Sequence, residues 1–593
     1  MAIHFDTLAE AFADQARKYD ARPFLKDKNG GAWRDHSWRD LDDAASRLRT
    51  GLLALGLGRG DRIAILSENC PNWVVVDQAA LGMGAAVVPL YTTSGIEETR
   101  HVLNDSGSRI VAANGEAAIR KIVALKPDLS KLDAVVAMHP GASDESAGGL
   151  AIRSLASVSA PDSAPVVKGS RDDLATIIYT SGTTGASKGV MLSHGNILAN
   201  CDSSQQALDL GESDLTLSFL PIAHSFERTA GYYTVMIAGG MIAYAEGLTQ
   251  IAQNLLEVNP TVVLTVPRLL EVIYTRVSRM VEAAPATRRA LFHLASATGR
   301  RAAEYRFARR PRPAHIVLAM ALFRRVVFKR IRSLFGTRIR YLISGGAPLP
   351  LEVFRFLAAA EVPIVEGYGL TEAAPVVAVN LHGHTRIGTV GRPLANIAVR
   401  TAADGELLVR GANVMRGYWG LEAETREAVD VHGWLHTGDI ARIDRDGYIA
   451  ITDRKKEIIV LSGGKNVSPA NLEARLAADP AIAQACVVGD RQKHLGALIV
   501  PDFEFVAAEP ALKAAAAKGL EQAVGDPAMR KFYQSRIREF NRTLSDAETI
   551  STFALLSKPF SQDNGELTPT LKLRRRVVQD HYRREIDSMY GAT

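Results

Sequence analysis

Short runs of β-branched and aliphatic residues alternate with segments of helical period through the first part of the chain, and this alternation limits the fold more than any other feature. Residues 62–66, 85–90, 261–266, 339–343 and 362–366 read as short buried strands, and 7–19 carries apolar residues at helical spacing. Strands of this kind interleaved with helices imply a layered α/β body with much parallel sheet. From 396 to 410 the pattern changes to closely spaced strands with glycine-containing turns, which suits a β-rich subdomain. The charged run Asp453-Arg454-Lys455-Lys456-Glu457 then separates apolar strands and marks a boundary. The expected organisation is a large N-terminal domain over 1–452 and a small, mobile α+β domain over 453–593. A chain of 593 residues is too long for one compact core.

One loop stands out chemically. Thr180-Ser181-Gly182-Thr183-Thr184-Gly185-Ala186-Ser187-Lys188-Gly189 gathers hydroxyls, glycines and a lysine between the strand-like runs 175–178 and 190–192. Glycine lets backbone N–H groups approach phosphate oxygens, hydroxyls donate hydrogen bonds, and Lys188 adds a cation. A nucleotide P-loop of the GxxxxGK[ST] kind is excluded at two positions, because Ser187 replaces its second glycine and Gly189 its final hydroxyl residue. A plain glycine- and serine-rich surface turn is the competing reading.

Composition is that of a soluble globular protein, with 47% hydrophobic and 23% charged residues. The first residues carry neither a basic nor an apolar leader region, no run is long enough to span a membrane, and Cys70, Cys201 and Cys486 are too far apart for a metal or redox motif. A cytoplasmic protein is expected, with Cys486 packed in a core. The formal net charge of +6 is uneven: from Arg288 to Arg340 there are fourteen arginines and Lys329 against one acid, Glu304. Within that segment, 322–335 reads as an imperfect amphipathic helix with Arg324, Arg325, Lys329 and Arg332 on one face and Arg330 out of pattern. Two readings stay open, peripheral attachment to anionic lipid through 315–335 or a core helix with a solvated face. Nucleic-acid binding is not expected, since neither zinc-finger spacing nor an aromatic RNA-binding motif accompanies the basic residues.

Further motifs follow in order. Glu366-Gly367-Tyr368-Gly369-Leu370-Thr371-Glu372 comes directly after a strand, where ligands bind in open α/β sheets. Tyr368 offers a flat face to a purine, Thr371 a hydroxyl, and Glu372 an oxygen ligand for Mg²⁺. In Thr437-Gly438-Asp439, the aspartate can hold two ribose hydroxyls. With Ser344-Gly345-Gly346-Ala347-Pro348-Leu349, the segments 405–411 and 447–449, Asp453-Arg454-Lys455-Lys456 and Leu567-Thr568-Pro569-Thr570-Leu571-Lys572, the chain resembles the adenylate-forming superfamily of acyl-CoA synthetases, luciferases and non-ribosomal adenylation domains. Leu220-Pro221-Ile222-Ala223-His224-Ser225-Phe226-Glu227-Arg228 and the basic insert look most like long-chain fatty acyl-CoA synthetases.

The resemblance implies ATP, Mg²⁺ and CoA, with a fatty acid as substrate. It assigns the phosphates to Thr180, Ser181, Gly182, Thr183, Thr184, Gly185 and Lys188, with Thr184 also near the metal. Gly345, Gly346 and Ala347, with Tyr368, would frame adenine, and Glu366, Gly367 and Gly369 would belong to the same nucleotide site. Thr371 would touch the α-phosphate, Glu372 would bind Mg²⁺, and Asp439 and Arg454 would hold the ribose. Lys572 would bridge the attacking carboxylate and the α-phosphate, and His224 would lie by the acyl carboxylate. Lys456 would act as the hinge, with Gly463 and Gly464 lining the later thiol channel. A homodimer is allowed for.

The nearest rival is an acyl-AMP ligase loading a carrier protein. Such enzymes resemble this chain but usually carry an insertion near the hinge, and only thirteen residues separate Asp439 from Asp453. A CoA ligase for a medium-chain or aryl acid remains an alternative. A fused carrier domain is not expected, since 21 residues follow Lys572. A non-catalytic nucleotide-binding or scaffold protein should have lost Glu372 or Lys572, and both are present.

Overall fold

The computed structural model describes residues 4–180, 186–381, 383–455, 457–463, 465–542, 544–568 and 573–591. Two nine-stranded sheets form the larger part. One runs Arg392–Pro393, Val376–Val379, Ile364–Gly369, Tyr341–Ser344, Val262–Thr265, Leu215–Ser218, Met241–Tyr244, Pro23–Asn29 and Ala32–Ser37, parallel from Ile364–Gly369 through Pro23–Asn29. The other runs Gly417–Tyr418, Lys188–Ser193, Leu174–Thr180, Ala86–Leu90, Arg62–Leu66, Ile110–Ala113, Ala134–Ala137, Leu150–Ser154 and Glu145–Ala147. The strands expected at 62–66, 85–90, 261–266, 339–343 and 362–366 all appear, with ends moved by a few residues.

Helices Leu8–Tyr19, Trp38–Ala54, Pro71–Gly82, His194–Leu208 and Thr234–Ala238 contribute to one core with strands of both sheets. Fully buried strands such as Ile110–Ala113 demand this cover on both faces. The outer face of the first sheet is covered by residues of the basic insert and of Leu351–Ala359, and that of the second by Ile96–Ser106 and Glu116–Leu125.

A four-stranded antiparallel sheet follows, Ile397–Thr401, Glu406–Gly411, Leu435–Ile443 and Ile449–Arg454. It is the β-rich subdomain, and it extends further than the sequence pattern indicates because Asp453 and Arg454 complete its last strand. From Ile459 onward the chain builds separate cores around the strands Ile482–Val488, Leu495–Pro501 and Ile550–Leu555 with helices Pro469–Leu476 and Pro527–Asn541. The protein is therefore a large α/β domain with a small C-terminal domain. Cys486 is fully buried in the latter, and burial pushes its thiol up to about 12.

The basic insert differs from a single amphipathic helix. It runs as helix Ala286–Phe307, then Ala314–Phe323, a π-turn Arg324–Phe328, and Lys329–Ser333. The wider π-turn shifts the helical phase. Ile316, Met320, Phe323, Phe328, Ile331 and Phe335 enter the core, while Leu318 (75% exposed), Leu322 and Val326 face outward with Arg325, Lys329, Arg330 and Arg332. Arg324 leaves the cationic face to pair with Glu361. No described helix is long and apolar enough to cross a membrane.

Candidate functional site

Parallel strands Tyr341–Ser344 and Ile364–Gly369 lie side by side, with Ser344 opposite Glu366, so the loops beyond them, 345–350 and 370–375, open on the same edge of the sheet. A cleft of about 3050 Å³ lies there, between this edge, the hairpin Leu174–Thr180/Lys188–Ser193, the β-rich sheet and the C-terminal domain. Local sequence explains the tight geometry. A Cβ at Gly369 would fall 2.1 Å from the carbonyl oxygen of Pro375, so only glycine lets the two backbone segments meet. Gly346 turns at φ +83°, a conformation that costs glycine little.

The described residues assigned from sequence to adenine, ribose and phosphate all line this cleft: Thr180, Lys188, Gly345, Gly346, Ala347, Glu366, Gly367, Tyr368, Gly369, Thr371, Glu372, Asp439 and Arg454, as does His224. Lys188 is paired in register with Thr180, so strands do bracket the loop. Gly463 is exposed in the turn after Ile459–Val460 and does not line the cleft. Ser181, Gly182, Thr183, Thr184, Gly185, Lys456, Gly464 and Lys572 lie outside the described residues.

Three groups of contacts organise the polar end. The Tyr368 hydroxyl donates to Asp439 Oδ2 at 2.6 Å, and Arg454 Nε lies 3.3 Å from Asp439 Oδ1, across neighbouring strands. Burial, with the adjacent Asp439, holds the Tyr368 phenol protonated and therefore a donor. Ser225 and Thr371 share a hydroxyl–hydroxyl hydrogen bond of 3.0 Å, which ties the His224 segment to the strand loop. His224 Nδ1 accepts from the Phe226 backbone N–H at 3.2 Å, which places the proton of the neutral ring on Nε2. Burial raises the Glu366 carboxyl to about 8, so it is largely protonated at neutral pH.

Several contributors have no role assigned from sequence, although Glu406 and Lys455 lie within segments that carry the resemblance. Tyr418 donates to Glu372 Oε1 at 3.0 Å while its ring faces Lys188 Nζ at 5.1 Å, so one side chain orients two candidate ligand groups. Glu406, almost buried, accepts from the Gly438 N–H at 2.8 Å and from Lys455 at 3.1 Å, and Lys455 also pairs with Asp404 at 2.6 Å. These contacts fasten the chain to the β-rich sheet one residue after its last strand, Ile449–Arg454. Among the described residues no cluster of three His, Cys, Asp or Glu side chains forms a metal site. A single carboxylate, Glu372, fits a Mg²⁺ ion that takes its remaining oxygens from nucleotide phosphate and water.

Behind the site lies a buried ion pair. Arg228 donates to Asp77 at 2.5 Å, to the Thr176 hydroxyl at 2.7 Å and to the Tyr233 hydroxyl at 3.0 Å, and both charged side chains are at most 1% exposed. It joins the π-turn Glu227–Tyr233, which follows His224, to Leu174–Thr180, the first strand of the hairpin. The same cleft is lined by apolar side chains, among them Leu208, Phe219, Leu220, Ala230, Ile251 and Leu264.

Comparison with known proteins places these features in context. A sequence model described as AMP-binding enzyme matches residues 12–419, and one described as AMP-binding enzyme C-terminal domain matches 456–593. The chain is 36% identical over 577 residues to the Long-chain-fatty-acid--CoA ligase FadD15 of Mycobacterium bovis, covering 94% of this chain and 93% of that protein. It is 30% identical to the Long-chain-fatty-acid--CoA ligase ACSBG2 of Gallus gallus, covering 99% and 81%. Among solved structures, the A domain of carboxylic acid reductase from Segniliparus rugosus, in complex with AMP and a co-purified carboxylic acid, superposes with a TM-score of 0.77 at 21% identity, covering 99% of this chain and 95% of that one.

Proposed function

Since the chain belongs to the AMP-binding enzyme family, we propose that it is a long-chain fatty acid–CoA ligase that activates a fatty acid with ATP and transfers the acyl group to CoA. The carrying observation is a single cleft in which Thr371, Glu372, Tyr368, Asp439 and Arg454 converge beside apolar side chains such as Phe219, Leu220 and Leu264. A carboxylate that must reach a nucleotide while its hydrocarbon tail stays dry needs both surroundings in one space. The names of the full-length relatives favour the same substrate class.

A carboxylate oxygen attacks the α-phosphorus of ATP, and the bond to pyrophosphate breaks. Negative charge gathers on oxygens there, so fixed donors and cations carry the catalysis. Thr371 and Lys572 meet the α-phosphate, Lys188 and the hydroxyls of the hairpin turn orient the departing pyrophosphate, and His224 Nε2–H donates toward the acyl carboxylate. Asp439 and Arg454 hold the ribose, and the loop Gly345-Gly346-Ala347 with Tyr368 frames adenine. Glu372 would hold Mg²⁺, which when bound would neutralise charge at the phosphates. The CoA sulfur then attacks the acyl carbon, its proton is lost, and AMP leaves with the acyl oxygen–carbon bond electrons. The two steps need different surroundings, a lysine at phosphorus and then an open thiol channel. We assign the change to rotation of the small C-terminal domain about Lys456, beyond the strand Ile449–Arg454 and the Lys455 anchor, with Gly463 and Gly464 brought into the channel.

The expected result is AMP release that depends on both fatty acid and CoA, rising from medium to long saturated chains. Acid-dependent pyrophosphate formation without any CoA-dependent AMP release would favour an acyl-AMP ligase, and preference for short or aryl acids would overturn the long-chain reading.

We further assign 315–335 to an anionic membrane surface. Leu318, Leu322 and Val326 are exposed beside Arg325, Lys329, Arg330 and Arg332, and each cation near such a surface contributes about 1 kcal/mol. Co-sedimentation with phosphatidylglycerol vesicles is expected and should fall as salt rises or when the four cations become glutamine. Equal recovery with neutral vesicles would count against it.

A further inference from the structure

Resting on the nucleotide-binding reading above, we propose that His101 and Asp105, on helix Ile96–Ser106, are positioning residues that grip both ends of the phosphate hairpin. His101 Nε2 lies 2.8 Å from the carbonyl oxygen of Ser187. A carbonyl only accepts, so the ring must carry its proton on Nε2 here. One turn later, Asp105 Oδ2 accepts from the Tyr179 hydroxyl at 2.5 Å. Tyr179 is on the strand entering the turn and Ser187 directly precedes Lys188 on the strand leaving it. Every glycine and hydroxyl between them therefore belongs to a segment whose two ends are fixed by one helix.

The grip is reinforced from two directions. The His101 and Tyr179 rings meet edge to face, with centroids 5.9 Å apart and planes at 89°. Burial, together with Asp105, keeps the Tyr179 phenol protonated, so it stays a donor. The Asp105 carbonyl accepts from Trp419 Nε1 at 3.0 Å, and the Trp419 N–H donates to the Gly189 carbonyl at 2.7 Å. Gly189 makes this closure possible, since a Cβ there would lie 2.7 Å from Ile177, 3.1 Å from Tyr179 and 3.3 Å from Trp419.

The physical consequence concerns entropy. Glycine-rich chain loses much backbone freedom when it is ordered around a ligand, and fixing the ends of such a segment beforehand reduces that loss. Neither His101 nor Asp105 lines the cleft. Both act through Ser187 and Tyr179, and only on the part of the nucleotide that the turn holds, the β and γ phosphates.

Titration calorimetry with ATP and with AMP tests this directly, because AMP lacks those phosphates. His101→Ala and Tyr179→Phe should each weaken ATP about five- to tenfold, the effect of one lost hydrogen bond, and leave AMP unchanged. His101→Gln, which retains an N–H donor, should recover most of the ATP affinity. In pyrophosphate exchange the same variants should raise KM for ATP and not for the fatty acid. Tyr179→Phe keeps the ring and its packing, so it reports even if His101→Ala folds poorly. Equal weakening of ATP and AMP, or no change in either, overturns the clamp alone. A wild-type protein that binds neither nucleotide overturns the enzyme reading and the clamp with it.

Discussion

Replacing Lys572 with alanine is expected to slow fatty-acid-dependent ATP–pyrophosphate exchange by about 10²-fold or more, since losing one such charge contact in the transition state typically costs about 3 kcal/mol. As the carboxylate approaches the α-phosphate two anionic groups converge, and a cation between them lowers the barrier only if it is held in place. Leu567, Thr568 and Leu573, on either side of the 569–572 segment, line the cleft. Thermal unfolding of the variant, measured alongside, separates lost chemistry from lost fold. Near-wild-type exchange in a folded variant would remove Lys572 from the mechanism.

The second large effect is on stability. Arg228→Leu is expected to destabilise the protein by about 3–5 kcal/mol, because it leaves the Asp77 carboxylate uncompensated in the core. Arg228 also lies over Trp73, with its guanidinium carbon 5.0 Å from the ring centroid, and both side chains are buried from solvent. The double variant Arg228→Leu/Asp77→Leu should recover most of the loss, since removing both charges also removes their desolvation cost. Thermal midpoints of the single and double variants decide it. A double variant no more stable than Arg228→Leu would assign the loss to packing and to the Thr176 and Tyr233 contacts, not to the unpaired charge.

Much of the site was legible in the sequence because its chemistry is local. The hydroxyl- and glycine-rich turn sits between two strands whose β-branched residues announce them. Thr371 and Glu372 follow a strand directly, and Gly438 and Asp439 lie together on one. In each case neighbouring residues share a task, and one short segment carries the signal. The alternation of strand and helix periods gave the α/β class for the same reason. The basic insert was legible only in part. Its composition predicted a helix, but the π-turn at Arg324–Phe328 rotates the following residues, and which of them enter the core depends on that rotation.

The contacts that hold the functional groups in place could not be read the same way. Tyr418 meets Glu372 across 46 positions, Arg228 meets Asp77 across 151, and Trp419 meets Asp105 across 314. No periodicity or spacing encodes such pairs, because each depends on which strands become neighbours in the sheets. His101 is the sharpest case, an unremarkable helical histidine until sheet order brings Ser187 over it. The sequence alone determined which chemical groups this protein possesses and which segments present them. The tertiary structure decided what braces those groups, because bracing arises where distant segments pack, and only the folded chain sets those distances.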